Sequence, residues 1–232
     1  MSAPEQGSMP RRSALRAVTA AAAITAFPTL LGCTHAPSKK PATGSPVSAR
    51  PGSVVMVIRH GEKPAKSDSS GGIDLTGHPD THSLTTQGWT RAAALVELFA
   101  TEDTGQARLP RPTVIYASGA GTGDGQGTRP RETVGPLAAA LNIPVDTSFS
   151  RGQEAALARQ AATQPGPTLI CWQHESIPGI GAAFAPATPT PPTVWPDDRY
   201  DVVWVFAAAD NGWRFAQVPE RLLPDDGSTG FS

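Results

Sequence analysis

Four short, almost wholly apolar runs constrain the fold more than any other feature of this sequence. They are Val54–Ile58, Val114–Ala117, Thr168–Trp172 and Val202–Phe206. A strand that is apolar on both faces must be covered on both faces, which is the situation of a central strand in a parallel sheet. A fifth segment, Trp213–Val218, follows the dipeptide Asn211-Gly212, which is favoured in tight hairpins. We therefore expect this last strand to be antiparallel.

Helical patterns alternate with these strands. Apolar residues recur at helical spacing after Thr85, a residue suited to capping a helix, as far as Phe99, and we expect Arg91 and Glu97 on the solvent side. Further helices are expected over 130–141, over 154–162 and from about 176 or 178. This alternation predicts an α/β domain of three layers, with helices on both faces of a mostly parallel sheet and an antiparallel edge strand.

The first 33 residues have the pattern of an export signal. Three arginines, at 11, 12 and 16, precede an apolar stretch over 17–31, which is short for a membrane span. The stretch closes on Leu-Leu-Gly-Cys, similar to a bacterial lipobox that would lipidate Cys33, and the arginines resemble a twin-arginine signal. Cleavage without lipidation, or a disordered start of a cytoplasmic protein, remain alternatives. Residues 34–52 are predicted to be a disordered tether and residues 53–232 the folded domain.

Composition excludes several functions. The chain has 19 basic and 20 acidic residues and a formal net charge of -1. Nucleic-acid binding needs a clustered basic surface, for which this balance gives no sign. With only 2 cysteines, the sequence supports neither a disulfide framework nor a cysteine-based zinc site.

Basic and imidazole side chains follow three of the apolar strands. Arg59-His60-Gly61 comes directly after the first, Arg129 opens the helix after the second, and His174 stands two residues beyond the third. Because ligands bind at the carboxyl ends of strands in such sheets, we expect these groups to share one rim. Guanidinium groups and imidazoles suit the binding and transfer of a phosphoryl group.

The same residues resemble those of the histidine phosphatase superfamily, also called phosphoglycerate-mutase-like. Trp172-Gln173-His174 with Ile177-Pro178, and later Trp195-Pro196, look like a bacterial exported subgroup of it. The matching segments run in the family's order from Val54 to about Phe206. They are Val57–Glu62, Leu84–Gly88 with Arg91-Ala92, Arg129 with Glu132-Thr133, and His174. The resemblance implies a two-step phosphatase reaction without a metal or other cofactor, on a small phosphorylated substrate or a phosphopeptide. The lipobox-like segment implies membrane contact only through the lipid anchor at Cys33.

The resemblance also implies roles for these residues. His60 would be the nucleophile that forms a phosphohistidine, and Arg59, Arg129 and His174 would hold the phosphoryl oxygens. Glu62 would orient the basic residues of the substrate pocket.

Two assignments stay open at this point. Arg131 competes with Arg129, because a glycine-rich stretch over 118–128 lengthens the preceding loop. The general acid is Glu175, directly after the second histidine, or else Glu154 or Asp146 from an intervening segment.

Two other functions compete with the phosphatase. A catalytically silent member of the same fold would keep the anion pocket and bind without turnover. A phosphomutase is disfavoured, because mutases act on cytosolic sugar phosphates whereas this chain has the pattern of an exported protein.

Overall fold

The structure, a computed structural model, describes residues 47–65, 67, 71–100, 109–121 and 127–232. The predicted signal peptide with Cys33, most of the predicted tether and residues 122–126 of the glycine-rich loop lie outside the described residues. None of the helices in the described ranges combines the length and apolar character needed to cross a membrane.

A mixed sheet forms the centre of the described part of the chain. Its strands are β1 Val54–Arg59, β2 Val114–Ala117, β3 Val145–Asp146, β4 Thr168–Trp172, β5 Ala187–Thr188, β6 Val202–Ala209 and β7 Gly212–Pro219. They lie in the order β3-β2-β4-β1-β6-β7-β5. Parallel pairing joins β3, β2, β4 and β1, and β5 is parallel to β7. The β1–β6 and β6–β7 pairs are antiparallel.

Helices cover both faces of the sheet. They are α1 Thr86–Phe99, α2 Thr128–Leu141, α3 Glu154–Ala162 and α4 Ile177–Ala183. Alternate residues of β1 enter two separate cores: Met56 and Ile58 pack with α1 and α2, whereas Val55 and Val57 pack with α3 and α4. This alternation is the consequence of the two-residue period of a strand. The predicted three-layer α/β architecture is confirmed.

The structure differs from expectation in the direction of β6 and in which strand lies at the edge of the sheet. The apolar run of β6 is typical of a central parallel strand, yet β6 is antiparallel to β1. β7 pairs with its other edge, and its two faces are buried because Trp204 and Phe206 enter one core and Val203 the other. The strand expected at the antiparallel edge is β7, and the two-residue β5 lies beyond it.

The packed part of the chain begins no later than Val47, within the segment assigned to the tether. Val47 is buried, its amide donates to the carbonyl of Ala183 at 3.2 Å, and its own carbonyl accepts from the Trp213 indole at 3.0 Å. An apolar side chain and two backbone bonds therefore fix this residue to the domain.

Candidate active site

His60 lies immediately beyond β1 with 3 % of its surface exposed. Its amide donates to the carbonyl of Trp172 in β4 at 3.1 Å, and Nδ1 lies 2.7 Å from the carbonyl oxygen of Gly61. Because a carbonyl only accepts, Nδ1 carries the proton of the neutral ring and Nε2 carries the lone pair. Burial holds the pKa of His60 well below 6.5, and the charges of Arg59 and Arg129 lower it further. The imidazole is therefore held in its neutral form, with the lone pair on Nε2.

The turn after His60 is clamped between α1 and α2. The amide of Gly61 donates to Oγ1 of Thr133 at 2.8 Å, and that hydroxyl donates to the carbonyl of Arg129 at 2.7 Å. A Cβ on Gly61 would lie only 3.0 Å from the carbonyl oxygen of Gly88. Glycine at position 61 thus permits the close approach of α1 that fixes the turn.

Arg59 is buried, with 1 % exposure, and uses one end of its guanidinium group for the protein. Nη1 donates to the carbonyls of Pro196, Asp197 and Arg199 at 3.2, 2.7 and 3.0 Å. Nε and Nη2 are buried and have no hydrogen-bond partner. These two N–H groups form the side-on fork that binds two oxygens of a phosphate or carboxylate. Burying such donors without an acceptor is costly, and an anion bound at this fork would remove that cost.

His174 follows β4 and is 3 % exposed. Its Nε2 lies 2.7 Å from Oδ1 of Asp197. Its Nδ1 is buried without a hydrogen-bond partner and lies 3.2 Å from Oε2 of Glu175. Burial and the charge of Arg59 lower the pKa of His174, against the opposing effect of the two carboxylates.

The segment Pro196–Tyr200 joins these groups to one another. Its carbonyls hold Nη1 of Arg59, and the Asp197 carboxylate holds His174. The Tyr200 ring lies beneath the Arg59 guanidinium, 3.7 Å from Cζ to the ring centroid, and its centroid is 6.3 Å from that of His60. The sequence analysis used Trp195-Pro196 only as a feature of the subgroup and assigned no role to Asp197–Tyr200. Two aspartates after a proline give no spacing that points to a site.

Arg129 lies in the first turn of α2, near enough for its charge to lower the pKa of His60. Its Nε donates to the carbonyl of Ser83 at 3.2 Å and its Nη2 to that of Thr81 at 2.6 Å. Arg131, the alternative, is exposed on the helix surface. The geometry thus favours Arg129 over Arg131, with backbone contacts holding two of the three guanidinium nitrogens.

Glu62 faces Arg91 rather than Arg59 or Arg129. Its Oε1 accepts from Nη2 of Arg91 at 2.8 Å. The prediction that Arg91 faces solvent is wrong, because this residue is 2 % exposed and also pairs with Glu220 at 2.9 Å and Asp226 at 2.6 Å. Burial lowers the pKa of Arg91, but the bonds to Asp226 and Glu62 outweigh this and leave it raised. The carboxylates of Glu62 and Asp226, which come from distant segments, stabilise the buried charge, and Glu220 accepts a further hydrogen bond from Nη1. Glu62 therefore anchors the turn that carries His60 to α1.

Of the three acid candidates, Glu175 alone contacts a residue of this group. It is 49 % exposed and lies beside His174, as given above. Glu154 begins α3 and accepts from the Trp172 indole at 3.1 Å. Asp146 is exposed in β3 and accepts from the amide of Ser148 at 2.8 Å. The structure thus brings Glu175 to the site and uses the other two carboxylates in local structure.

A cavity of about 620 Å³ lies next to this group of residues. Glu62, Asp197 and Tyr200 line it, whereas the side chains of Arg59, His60, Arg129 and His174 do not. Across the described ranges, no three His, Cys, Asp or Glu residues are arranged to hold a metal ion.

Comparisons with known proteins find similar structures only. No family model matches the chain, and no curated protein does. The protein histidine phosphatase SixA complexed with tungstate is 15 % identical, with 72 % of this chain and 97 % of that chain covered at a TM-score of 0.45. YhfR from Bacillus stearothermophilus is 17 % identical, with 74 % and 98 % covered at a TM-score of 0.43. A mycobacterial glucosyl-3-phosphoglycerate phosphatase is 14 % identical, with 77 % and 100 % covered at a TM-score of 0.42.

Proposed function

We propose that this chain is a phosphate monoester hydrolase of the histidine phosphatase superfamily, in which His60 is the nucleophile. The observation that carries the proposal is a set of buried polar atoms without partners: Nε and Nη2 of Arg59 and Nδ1 of His174. Protein interiors rarely leave such groups unsatisfied, and a catalytic role or a bound ion is among the reasons when they do. The planar fork of Arg59 and the imidazole of His174, close to the neutral His60, suit the binding of a phosphoryl group.

The reaction proposed has two displacements at phosphorus. Nε2 of His60 attacks in line, the N–P bond forms, and the ester P–O bond breaks as the leaving oxygen takes up a proton. Water then attacks the phosphohistidine, the N–P bond breaks, and inorganic phosphate leaves. The Arg59 fork binds two of the non-bridging oxygens throughout. The Gly61 carbonyl holds Nδ1–H, so it stabilises the positive charge that the ring gains on phosphorylation.

Arg129 complements this arrangement through charge. Its guanidinium group lowers the pKa of His60, which keeps the nucleophile unprotonated, and it would attract the substrate's negative charge. Backbone carbonyls of Thr81 and Ser83 occupy its Nε and Nη2, leaving Nη1 for a ligand. We accordingly assign Arg129 to substrate attraction and Arg59 to bidentate binding.

The biological setting proposed rests on the sequence alone. The pattern of residues 1–33 supports export, with lipidation at Cys33 and attachment to the cell envelope. The substrate proposed is a small phosphate ester or a phosphopeptide. Membrane contact would occur only through the N-terminal lipid.

Turnover and trapping of the intermediate test the proposal together. The protein should hydrolyse aryl phosphates, and acid-quenched samples should hold a phosphoryl group that is stable to base and lost in acid, as a phosphohistidine is. His60→Ala should abolish both signals, and His174→Ala should lower turnover strongly. His78→Ala is the matched control, because His78 is exposed and bonded only within its own turn.

Each outcome has a distinct meaning. Equal activity in the wild type, His60→Ala and His174→Ala would refute the assignment of the chemistry. Phosphate binding that depends on Arg59, without any turnover, would instead identify a catalytically silent anion-binding protein.

A further inference from the structure

His174 lies between two carboxylates that it meets with different nitrogens. Nε2 is 2.7 Å from Oδ1 of Asp197, within hydrogen-bonding distance. Nδ1 is 3.2 Å from Oε2 of Glu175 but without the geometry of a hydrogen bond, and it is buried. A carboxylate accepts, so Nε2 must carry a proton. Nδ1 is therefore the ring nitrogen that is free to release or take up a proton.

Asp197 is held in place by its backbone rather than by its side chain. Its carbonyl accepts from Nη1 of Arg59 at 2.7 Å, while its carboxylate is 94 % exposed and contacts His174. No other hydrogen bond to this carboxylate is found within the described ranges. One residue thus connects the phosphate-binding arginine proposed above to the second histidine. An acceptor fixed in this way sets both the tautomer and the orientation of the imidazole.

We propose that His174 is the general acid of the reaction and that Asp197 is its positioning residue. The inference rests on the proposed phosphatase function and supplies the proton donor that the reaction requires. In the first step the Nδ1–H bond of the imidazolium breaks as the ester P–O bond breaks, and the leaving oxygen takes that proton. In the second step neutral Nδ1 takes a proton from the attacking water, which restores the imidazolium.

The carboxylates fit this role less well by themselves. Glu175 is 49 % exposed and Asp197 still more, so neither has the buried setting that keeps a carboxyl group protonated near neutral pH. Asp197 also lies on the ring nitrogen opposite to Nδ1. An aspartate that orients a histidine, which in turn moves the proton, is an arrangement known to serve acid–base catalysis.

The charged groups around His174 determine its pH dependence. Arg59 and Lys63 disfavour the imidazolium, as burial does, whereas Glu175 and Asp197 favour it. The net effect is a pKa below 6.5, so the acid form is lost as the pH rises through that lowered pKa, on the acid side of 6.5. A phosphate dianion in the pocket would act in the same sense as the carboxylates.

A series of leaving groups separates this role from a purely structural one. p-Nitrophenolate departs readily without a proton, whereas phenolate and an alkoxide need one. Asp197→Asn keeps an acceptor for Nε2 but removes the charge. We expect this variant to lower kcat about 100-fold on phenyl phosphate and on glycerol 2-phosphate, a loss typical of general acid catalysis. On p-nitrophenyl phosphate, whose leaving group needs no proton, we expect kcat to fall less than about 5-fold. On phenyl phosphate, the basic limb of the kcat–pH profile should move to lower pH.

Two variants serve as controls for this comparison. Asp198→Asn removes the neighbouring exposed aspartate, which also lines the cavity, and should leave all three substrates unaffected. Glu175→Gln tests the competing acid. Equal losses on all substrates in Asp197→Asn, or a loss that depends on the leaving group in Glu175→Gln alone, would overturn the inference.

A measurement without turnover separates this inference from the proposed function. Nitrogen-15 NMR of labelled histidine should show His174 protonated at Nε2, with a pKa that falls in Asp197→Asn because the charge that favours the imidazolium is removed. An unchanged pKa or the opposite tautomer overturns the pairing even if His60 proves to be the nucleophile. Absence of a phosphoenzyme in a protein with the expected NMR behaviour would count against the phosphatase function instead, and with it the catalytic role of His174.

Discussion

The charge cluster around Arg91 makes the free energy of unfolding fall as the pH rises, because it contains the buried carboxyl group of Glu220. Glu220 is 5 % exposed, and burial raises its pKa from 4.5 to about 8 although Arg91 opposes the shift. Between these values the folded protein holds a proton that the unfolded chain has released. Raising the pH therefore destabilises the fold. The contribution of this proton is fully present below pH 4.5 and is lost as the pH rises through about 8.

The size of the effect follows from linkage. Each pH unit inside this window removes ~1.4 kcal/mol from the free energy of unfolding, so two units, from pH 5.5 to 7.5, remove about 3 kcal/mol at most. The buried histidines act in the opposite sense. The pKa values of His60 and His174 are lowered, so their contribution is present above pH 6.5 and is lost as the pH falls. The difference in free energy of unfolding between Glu220→Gln and the wild type does not contain this histidine contribution, because both proteins carry the same histidines.

Urea unfolding followed by tryptophan fluorescence measures the effect at pH 5.5, 6.5 and 7.5. Glu220→Gln keeps a carbonyl acceptor for Arg91 but cannot titrate. The free energy of unfolding of Glu220→Gln minus that of the wild type should rise by about 3 kcal/mol across the series. Asp225→Asn, in an exposed position of the same C-terminal segment, should show no such trend. A difference that stays constant with pH, or that falls, would refute the reasoning.

Two further predictions concern the packing and the binding geometry of the site. A Cβ on Gly88 would lie 2.6 Å from the carbonyl oxygen of Glu62, so Gly88→Ala should destabilise the fold by about 1–3 kcal/mol in urea unfolding. Gly135→Ala, in open space on α2, should instead stabilise it by about 0.5–1 kcal/mol, and a loss of stability there would contradict the steric account. Tyr200→Leu should weaken phosphate binding, measured calorimetrically, because the ring that supports Arg59 is removed. Tyr200→Phe should retain most of the affinity, and equal losses in the two variants would show that the hydroxyl matters rather than the ring.

The elements with a clear pattern in the sequence were predictable. Apolar runs located β1, β2, β4 and β6, and α3 begins and ends at the predicted residues 154 and 162. The two-residue strands β3 and β5 are too short to show any periodicity. The direction of β6 was not predictable from its own residues, because burial on both faces gives the same apolar run whichever way the strand points.

The site was predictable as far as consecutive residues determine it. Arg59 ends a buried strand and His60 follows it, so their place at its end required only the strand itself. The environment of Arg91 did not follow from its helix, because the partners Glu220 and Asp226 are 129 and 135 residues away along the chain. Asp197 presents a similar case, since its contact with His174 depends on the path of an irregular segment. Tertiary contacts of this kind leave no local pattern.

The proposed reaction requires that the unpartnered atoms around His60 bind a phosphoryl group. A crystal structure of the protein with orthovanadate tests this directly. We predict vanadium bonded to Nε2 of His60, with vanadate oxygens within about 3 Å of Nε and Nη2 of Arg59 and of Nδ1 of His174. Vanadate bound elsewhere, for example in the neighbouring 620 Å³ cavity, with Nε2 of His60 and the Arg59 fork still empty, would contradict it.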